Sequence, residues 1–174
     1  MLTADLRHMT ATWEGGPARV WMRALPRLLL QGRFRTVAYY RAGSWLFERR
    51  MIPLALWLQS RGQRASGAEI HPAARIGPGF NLVHGGGVVI GHDVVAGKDL
   101  VVYQGVTLGH GSEATGQPRL GDGVRLFAHA TVLGDVRMDD GSKAGAKALV
   151  LADVPAGRQV IGVWGRSAAA EPSA

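Results

Sequence analysis

The side chains best suited to chemistry in this 174-residue sequence are six histidines, His8, His71, His84, His92, His110 and His129, and there is no cysteine. Imidazole takes up and releases protons near neutral pH and is also the commonest metal ligand. The lack of cysteine excludes a disulfide framework, a thiolate zinc site and a cysteine nucleophile, and fits a reducing compartment. No H-x4-H-like pair occurs, so no metal is expected. His84 is followed by Gly85-Gly86-Gly87, and backbone without side chains lets a ligand approach closely. Neither a P-loop nor a Rossmann glycine pattern is present.

These residues must be positioned by two differently built halves. Residues 1–68 hold eleven Arg, no Lys and three acids, a net +8, whereas residues 69–174 hold nine Lys and Arg against ten acids, a net −1. Glycine runs the other way, with 6 before residue 69 and 19 after. In the front half, residues 1–16 read as loosely structured. Val20 to Leu30 reads as a helix that Pro26 should kink or split. Phe34, Val37, Ala38, Ala42, Trp45 and Leu46 form one apolar helical stripe. Pro53 starts a short helix, Leu54 to Gln59, that Gly62 and the polar run after it end. The arginines suit a solvated face and a subunit contact, or a peripheral contact with an anionic membrane through the Arg-rich helices. No nucleic-acid-binding pattern accompanies them, so no nucleic acid is expected. The first twenty residues lack signal-peptide order. The most apolar stretch, Ile52 to Leu58, has seven residues, where a membrane span needs about 20. A cytoplasmic protein is expected.

The back half is a repeat. Ile70, Ile76 and Leu82 are six apart; after a step of eight, Ile90, Ala96, Val102 and Leu108 are again six apart. After a step of twelve come Leu120, Leu126, Val132, Met138, Ala144, Val150 and Ala156. Seven of these fourteen are followed by glycine. Four residues after each aliphatic sits a mostly small or β-branched residue, such as Ala74, Gly86, Val94, Val106, Val124, Ala130 or Ala148. A period of six needs one short strand plus a turn, with the aliphatic pointing inward, and stacked units of this kind form a parallel β-helix.

Three stretches carry a resemblance: Ile70-His71-Pro72-Ala73-Ala74-Arg75-Ile76-Gly77, His84-Gly85-Gly86-Gly87-Val88-Val89-Ile90-Gly91 and Tyr103-Gln104-Gly105-Val106-Thr107-Leu108-Gly109. They are similar to the hexapeptide-repeat acyltransferases, more narrowly the serine O-acetyltransferase branch. The likeness runs from about Phe34, through Tyr40-Arg41, to about Arg166. It implies a mainly β fold, a left-handed parallel β-helix with a small N-terminal α-helical segment. The expected organisation is an arginine-rich helical segment over 1–68, the β-helix over 69–166 and a flexible tail over 167–174. It also implies a homotrimer with active sites between subunits, and acetyl-CoA as co-substrate without a metal.

By the same resemblance, His84 matches the family's catalytic base, and Glu69 stands where an aspartate orients that base. His71 belongs to the turn that starts the β-helix. His92 stands where a glutamate is usual. His110 and Gly111 lie in the loop near the thioester. Ala128 and Ala146 line the pantetheine groove, His129 replaces a groove glycine, and Lys143 and Lys147 are candidates for the CoA phosphates. Val83, Gly116 and Gln117 replace the aspartate, arginine and histidine that meet the amino acid, leaving Arg119 or Glu113 as substitutes. A neutral hydroxyl acceptor held in part by Gln117 is therefore expected to do better than free L-serine. The alternatives to a serine acetyltransferase-like enzyme are a glycan or natural-product tailoring O-acyltransferase and an inactive β-helical scaffold. Trp164 stands where relatives have proline. The terminal isoleucine with which relatives dock into a sulfhydrylase is absent, and the short front half argues against pairing of trimers.

Overall fold

The computed structural model describes residues 1–11, 16–111 and 116–162. Glu113, Trp164 and the tail over 167–174 lie outside the described residues. Four helices precede a parallel β-solenoid: α1 (Leu2–Met9), α2 (Pro17–Leu30), α3 (Gly32–Glu48) and α4 (Ile52–Ser66). The solenoid has three walls. The first stacks β1 (Glu69–Ile70), β4 (Val89–Ile90), β7 (Thr107–Gly109), β10 (Thr131–Leu133) and β13 (Leu149–Val150). The second stacks β2 (Arg75–Ile76), β5 (Val95–Ala96), β8 (Arg119–Leu120) and β11 (Arg137–Met138). The third stacks β3 (Asn81–Leu82), β6 (Val101–Val102), β9 (Arg125–Leu126), β12 (Lys143–Ala144) and β14 (Gln159–Val160).

Register explains the six-residue period. The aliphatic second residue of each strand lies over its counterpart in the next coil, as in Ile70↔Ile90, Ile90↔Leu108 and Leu108↔Val132. From Ile70 to Val150 these positions are buried. Ala156, the last of the sequence series, is exposed in a turn. The final coil is shorter: Ala144 pairs with Val160, and the inward residue between them is Val154, bridged to Met138. Gly86 also departs from the pattern, because Val88 takes the buried place before Ile90. The two extra residues of the eight-residue step thus fall into the loop that carries His84. The turns between the third and first walls each put one residue in the left-handed region: Gly87, Gly105, His129 and Lys147, with φ of 69°, 66°, 59° and 57°. His129 and Lys147 therefore hold a conformation usually left to glycine.

The helices cover the first coil through a buried ion pair. Residues 1–16 read as loose in the sequence, yet α1 is formed and buries Asp5 and Leu6 completely. Asp5 Oδ1 accepts the N–H groups of Gly79 and Phe80, both at 2.9 Å. The Arg41 guanidinium grips the same carboxylate in a fork, Nε to Oδ2 at 2.7 Å and Nη2 to Oδ1 at 2.9 Å. It also donates to the carbonyls of Ile76 and Gly77. Tyr40 donates its hydroxyl to Ala74 O at 2.8 Å and accepts the Ile76 N–H. The Tyr40 and Phe80 rings meet edge-on with centroids 6.2 Å apart.

Three other helical expectations change. α2 continues through Pro26. Pro26 and Met22 lie on the exposed side, where water can bond the carbonyl that the proline leaves free. α3 buries Phe34, Thr36, Val37, Tyr40 and Gly43, while Trp45 is 53% exposed beneath the Arg49 guanidinium. α4 runs past Gly62, whose carbonyl accepts the Thr36 hydroxyl at 2.7 Å. The stop is Gly67, in the left-handed region at φ 77°. Asp5→Ala would strand the Arg41 charge and two backbone N–H groups, so it is expected to destabilise the fold by about 3–5 kcal/mol in urea unfolding. A loss below about 1 kcal/mol, typical of exposed pairs, would show that the clamp contributes little.

Candidate active site

The solenoid brings the candidate residues to two of its three edges. On the edge between the third and first walls, the loop Val83–Val88 is followed in successive coils by Tyr103–Val106, Phe127–Ala130 and Gly145–Ala148. Rings stack down this edge: His84 to Tyr103 with centroids 6.3 Å apart, and Tyr103 to Phe127 at 5.4 Å and nearly parallel. Beside them the N–H of Gly105 bonds Gly86 O, that of His129 bonds Gln104 O, and that of Lys147 bonds Ala128 O. These bonds hold Ala128, His129, Ala146 and Lys147 in one column with the glycine loop. A Cβ at Gly105 would collide with His129 Nδ1, so the histidine ring lies over the preceding coil. Lys143 begins β12 on the adjoining wall.

His84 is exposed and opens into a cleft of about 650 Å³. Gly85 packs so closely under Ser66 of α4 that a Cβ there would collide with it, whereas a Cβ at Gly86 would meet nothing. The glycine loop is thus pinned on one side and open on the other. The N–H groups of Gly85 and Gly86 have no acceptor among the described residues. Glu69 lies on β1, where its carboxylate accepts from Gln59 Nε2 at 3.5 Å and Gln63 Nε2 at 3.3 Å. Within one chain it makes no hydrogen bond to His84.

The edge between the first and second walls carries a column of imidazoles that sequence spacing did not single out as a group. Phe47, His71, His92 and His110 follow one another with ring centroids 5.8, 5.7 and 5.4 Å apart. His92 Nε2 sits 3.0 Å from Asp93 Oδ2. Gln117 is buried, with Oε1 accepting the Asp93 N–H and Nε2 3.2 Å from His92 Nδ1. Its amide braces His92, which is the more exposed of the two. His110 and Gly111 stand at the end of this column, after β7. Arg119 is exposed on β8, 3.8 Å from the equally exposed Asp135, a pairing worth little in water. No group among the described residues could hold a metal ion. No helix among them is long and apolar enough to cross a membrane.

The same architecture occurs in solved proteins. No family model matches the chain. A soybean serine acetyltransferase complexed with serine superposes with a TM-score of 0.80 at 37% identity, covering 95% of this chain and 67% of that one. The chain belongs to the serine acetyltransferase family of hexapeptide-repeat proteins. A serine acetyltransferase of Brucella abortus in complex with coenzyme A gives a TM-score of 0.81 at 32% identity, over 95% of this chain and 65% of the other. The serine acetyltransferase of Synechococcus elongatus is 36% identical over 116 residues, which is 67% of this chain and 46% of that protein. The chain thus spans less than half the length of the curated relatives it matches.

Burial pushes His71 below the ordinary imidazole value of 6.5, helped by the charge of His92, while Glu69 and Asp93 pull it upward. A depressed imidazole binds fewer protons folded than unfolded. Its contribution to stability is therefore complete above pH 6.5 and is lost as pH falls through that value towards and past the lowered one. Urea unfolding from about pH 7 to about pH 5 is expected to show a shallower loss of stability in His71→Gln than in the wild type. Equal slopes would remove His71 from the acid response.

Proposed function

We propose that the chain transfers an acetyl group from acetyl-CoA to a hydroxyl of a small acceptor. The observation that carries this reading is the edge between the third and first walls. There His84 stands on a two-residue insertion at the head of a column of small and glycine corners, in a chain whose family members include structures with coenzyme A and with serine. Acetyl-CoA supplies the activated acetyl group. Small side chains at Ala128 and Ala146 leave room for its pantetheine arm, with His129 as a wall of the channel. Lys143 and Lys147 supply positive point charges for the phosphates, and His110 and Gly111 border the thioester.

His84 is the general base in this reading. It takes the proton of the acceptor hydroxyl as that oxygen attacks the thioester carbonyl, and returns it to the CoA sulfur as the C–S bond breaks; the N–H groups of Gly85 and Gly86, without an acceptor among the described residues, are the donors assigned to the developing oxyanion. Glu69 is assigned the weaker, orienting part. Val83 lines the His84 cleft, whereas His92, Gln117 and Arg119 belong to the other edge and the second wall. A site drawing on both edges takes two copies of the chain, which supports a homotrimer with shared sites. Light scattering is expected to give three times 18.5 kDa; a monomer would contradict the shared site.

His84→Ala is expected to lower turnover by about 10²–10⁴-fold, the usual loss on removing a general base, with thermal unfolding unchanged. A residual rate above a tenth of wild type would contradict its assignment. Glu69→Gln is expected to lose less, because it orients the base and does not carry the proton. A larger loss than that of His84→Ala would reverse the two roles.

A further inference from the structure

The cleft that His84 opens into contains a cation from a part of the chain that the repeat pattern does not mark. Arg33, at the start of α3, lines it together with Ser66, Val83, His84, Gly85 and Gly86. The guanidinium is held in place by its edge. Nη1 donates to Val83 O at 3.3 Å and reaches Leu82 O at 3.5 Å, Nε donates to Gln31 Oε1 at 3.3 Å, and the group lies 4.8 Å over the Phe34 ring. All of these partners are neutral. No carboxylate among the described residues pairs with Arg33, and none lines the cleft. Burial lowers the pKa of Arg33, and the charge of Arg27 lowers it further; in the cleft itself Arg33 faces no counter-charge.

A half-buried guanidinium without a carboxylate is a binding site for one, because an arriving anion recovers the charge–charge interaction that burial has taken from water. The ammonium of a zwitterion has no such partner, since the acid that would meet it is replaced by the apolar Val83 in the same cleft. We propose that the acceptor is an alcohol bearing a carboxylate or phosphate, held by Arg33 with its hydroxyl towards His84, and with no ammonium group required. This rests on the acetyl-transfer reading above and deepens it. Arg33 is then the specificity-determining residue, supplying from a helix the cation that position 116 lacks. The expectation of a neutral acceptor, built on Val83, Gly116 and Gln117, takes no account of a cation at Arg33.

The test compares glycerate, sn-glycerol 3-phosphate, glycerol and L-serine as acceptors by CoA release. In the wild type, kcat/KM for glycerate or for glycerol phosphate is expected to exceed that for both glycerol and L-serine. Whichever of the two anions leads distinguishes carboxylate from phosphate. In Arg33→Gln, the ratio of that anion to glycerol is expected to fall by about 10–100-fold, the size of a charged hydrogen bond. Arg33→Lys should restore part of it by keeping the charge. Equal losses for charged and neutral acceptors in Arg33→Gln would overturn the proposal, and would show that Arg33 only props the Val83 carbonyl. A wild type that prefers glycerol or L-serine overturns it without any variant. If no acceptor is acetylated, the acetyl-transfer reading fails, and binding of glycerate and of glycerol phosphate, followed on the His84 ring signals by NMR, decides the inference alone. Binding that Arg33→Gln abolishes upholds it, and no binding of either overturns it.

Discussion

A coil of this solenoid can bury its inward side chain only against the coils above and below it, because strands of two or three residues enclose no core of their own. Each coil must therefore repeat the register of its neighbour, and any departure from six residues has to leave through a corner. The step of eight between Leu82 and Ile90 does so in the loop that carries His84. His84 is thereby brought to an exposed edge at a fixed height, where chemistry becomes available. The first coil has no neighbour on its outer side. Asp5 and Arg41 close that end by bonding its exposed backbone, so the helices continue the same stacking by other means.

The repeat was legible because its cause is local: one inward aliphatic per strand and one relaxed corner per turn. Its failures are instructive for the same reason. Ala156 keeps the composition of the pattern, but the last coil is closed by Val154 and Val160, and single-residue identity does not report that coil's length. His84 could be singled out from sequence because three glycines follow it and because it matches the catalytic histidine of the family that the chain resembles. Asp5 could not, because a lone acid near the start of an arginine-rich stretch has no periodic signal, and its meaning comes from two backbone N–H groups some seventy residues away. Gly62 shows the converse: a glycine that reads as a helix stop lies inside α4, its carbonyl accepting the Thr36 hydroxyl.

The candidate site divides along the same line. The column of corners under His84 follows from the repeat, so Ala128, His129, Ala146 and Lys147 fall together by register alone. What the acceptor meets does not follow from it. Gln117 has the right place in the sequence for an acceptor contact but turns its amide to His92 and Asp93. Arg33 has no place in the repeat at all, yet it shares the His84 cleft through the packing of α3 on the third wall. Glu69 lies between these cases, close to His84 in coil order but bonded to two glutamines of α4. On the proposed reading, the position of the base follows from the solenoid, and selectivity follows from what the helices and the corner insertions place around it.

The central claim is that the edge headed by His84 is one continuous site, with the acyl donor lying along the small corners and the base at their end. The most direct measurement is the affinity for coenzyme A, by titration calorimetry, of the wild type, Ala146→Trp and His84→Ala. The predicted result is a loss of about tenfold or more, at least ~1.4 kcal/mol, in Ala146→Trp, with His84→Ala binding as tightly as the wild type while losing turnover. Undiminished affinity in Ala146→Trp would place the donor elsewhere and contradict the assignment of this edge.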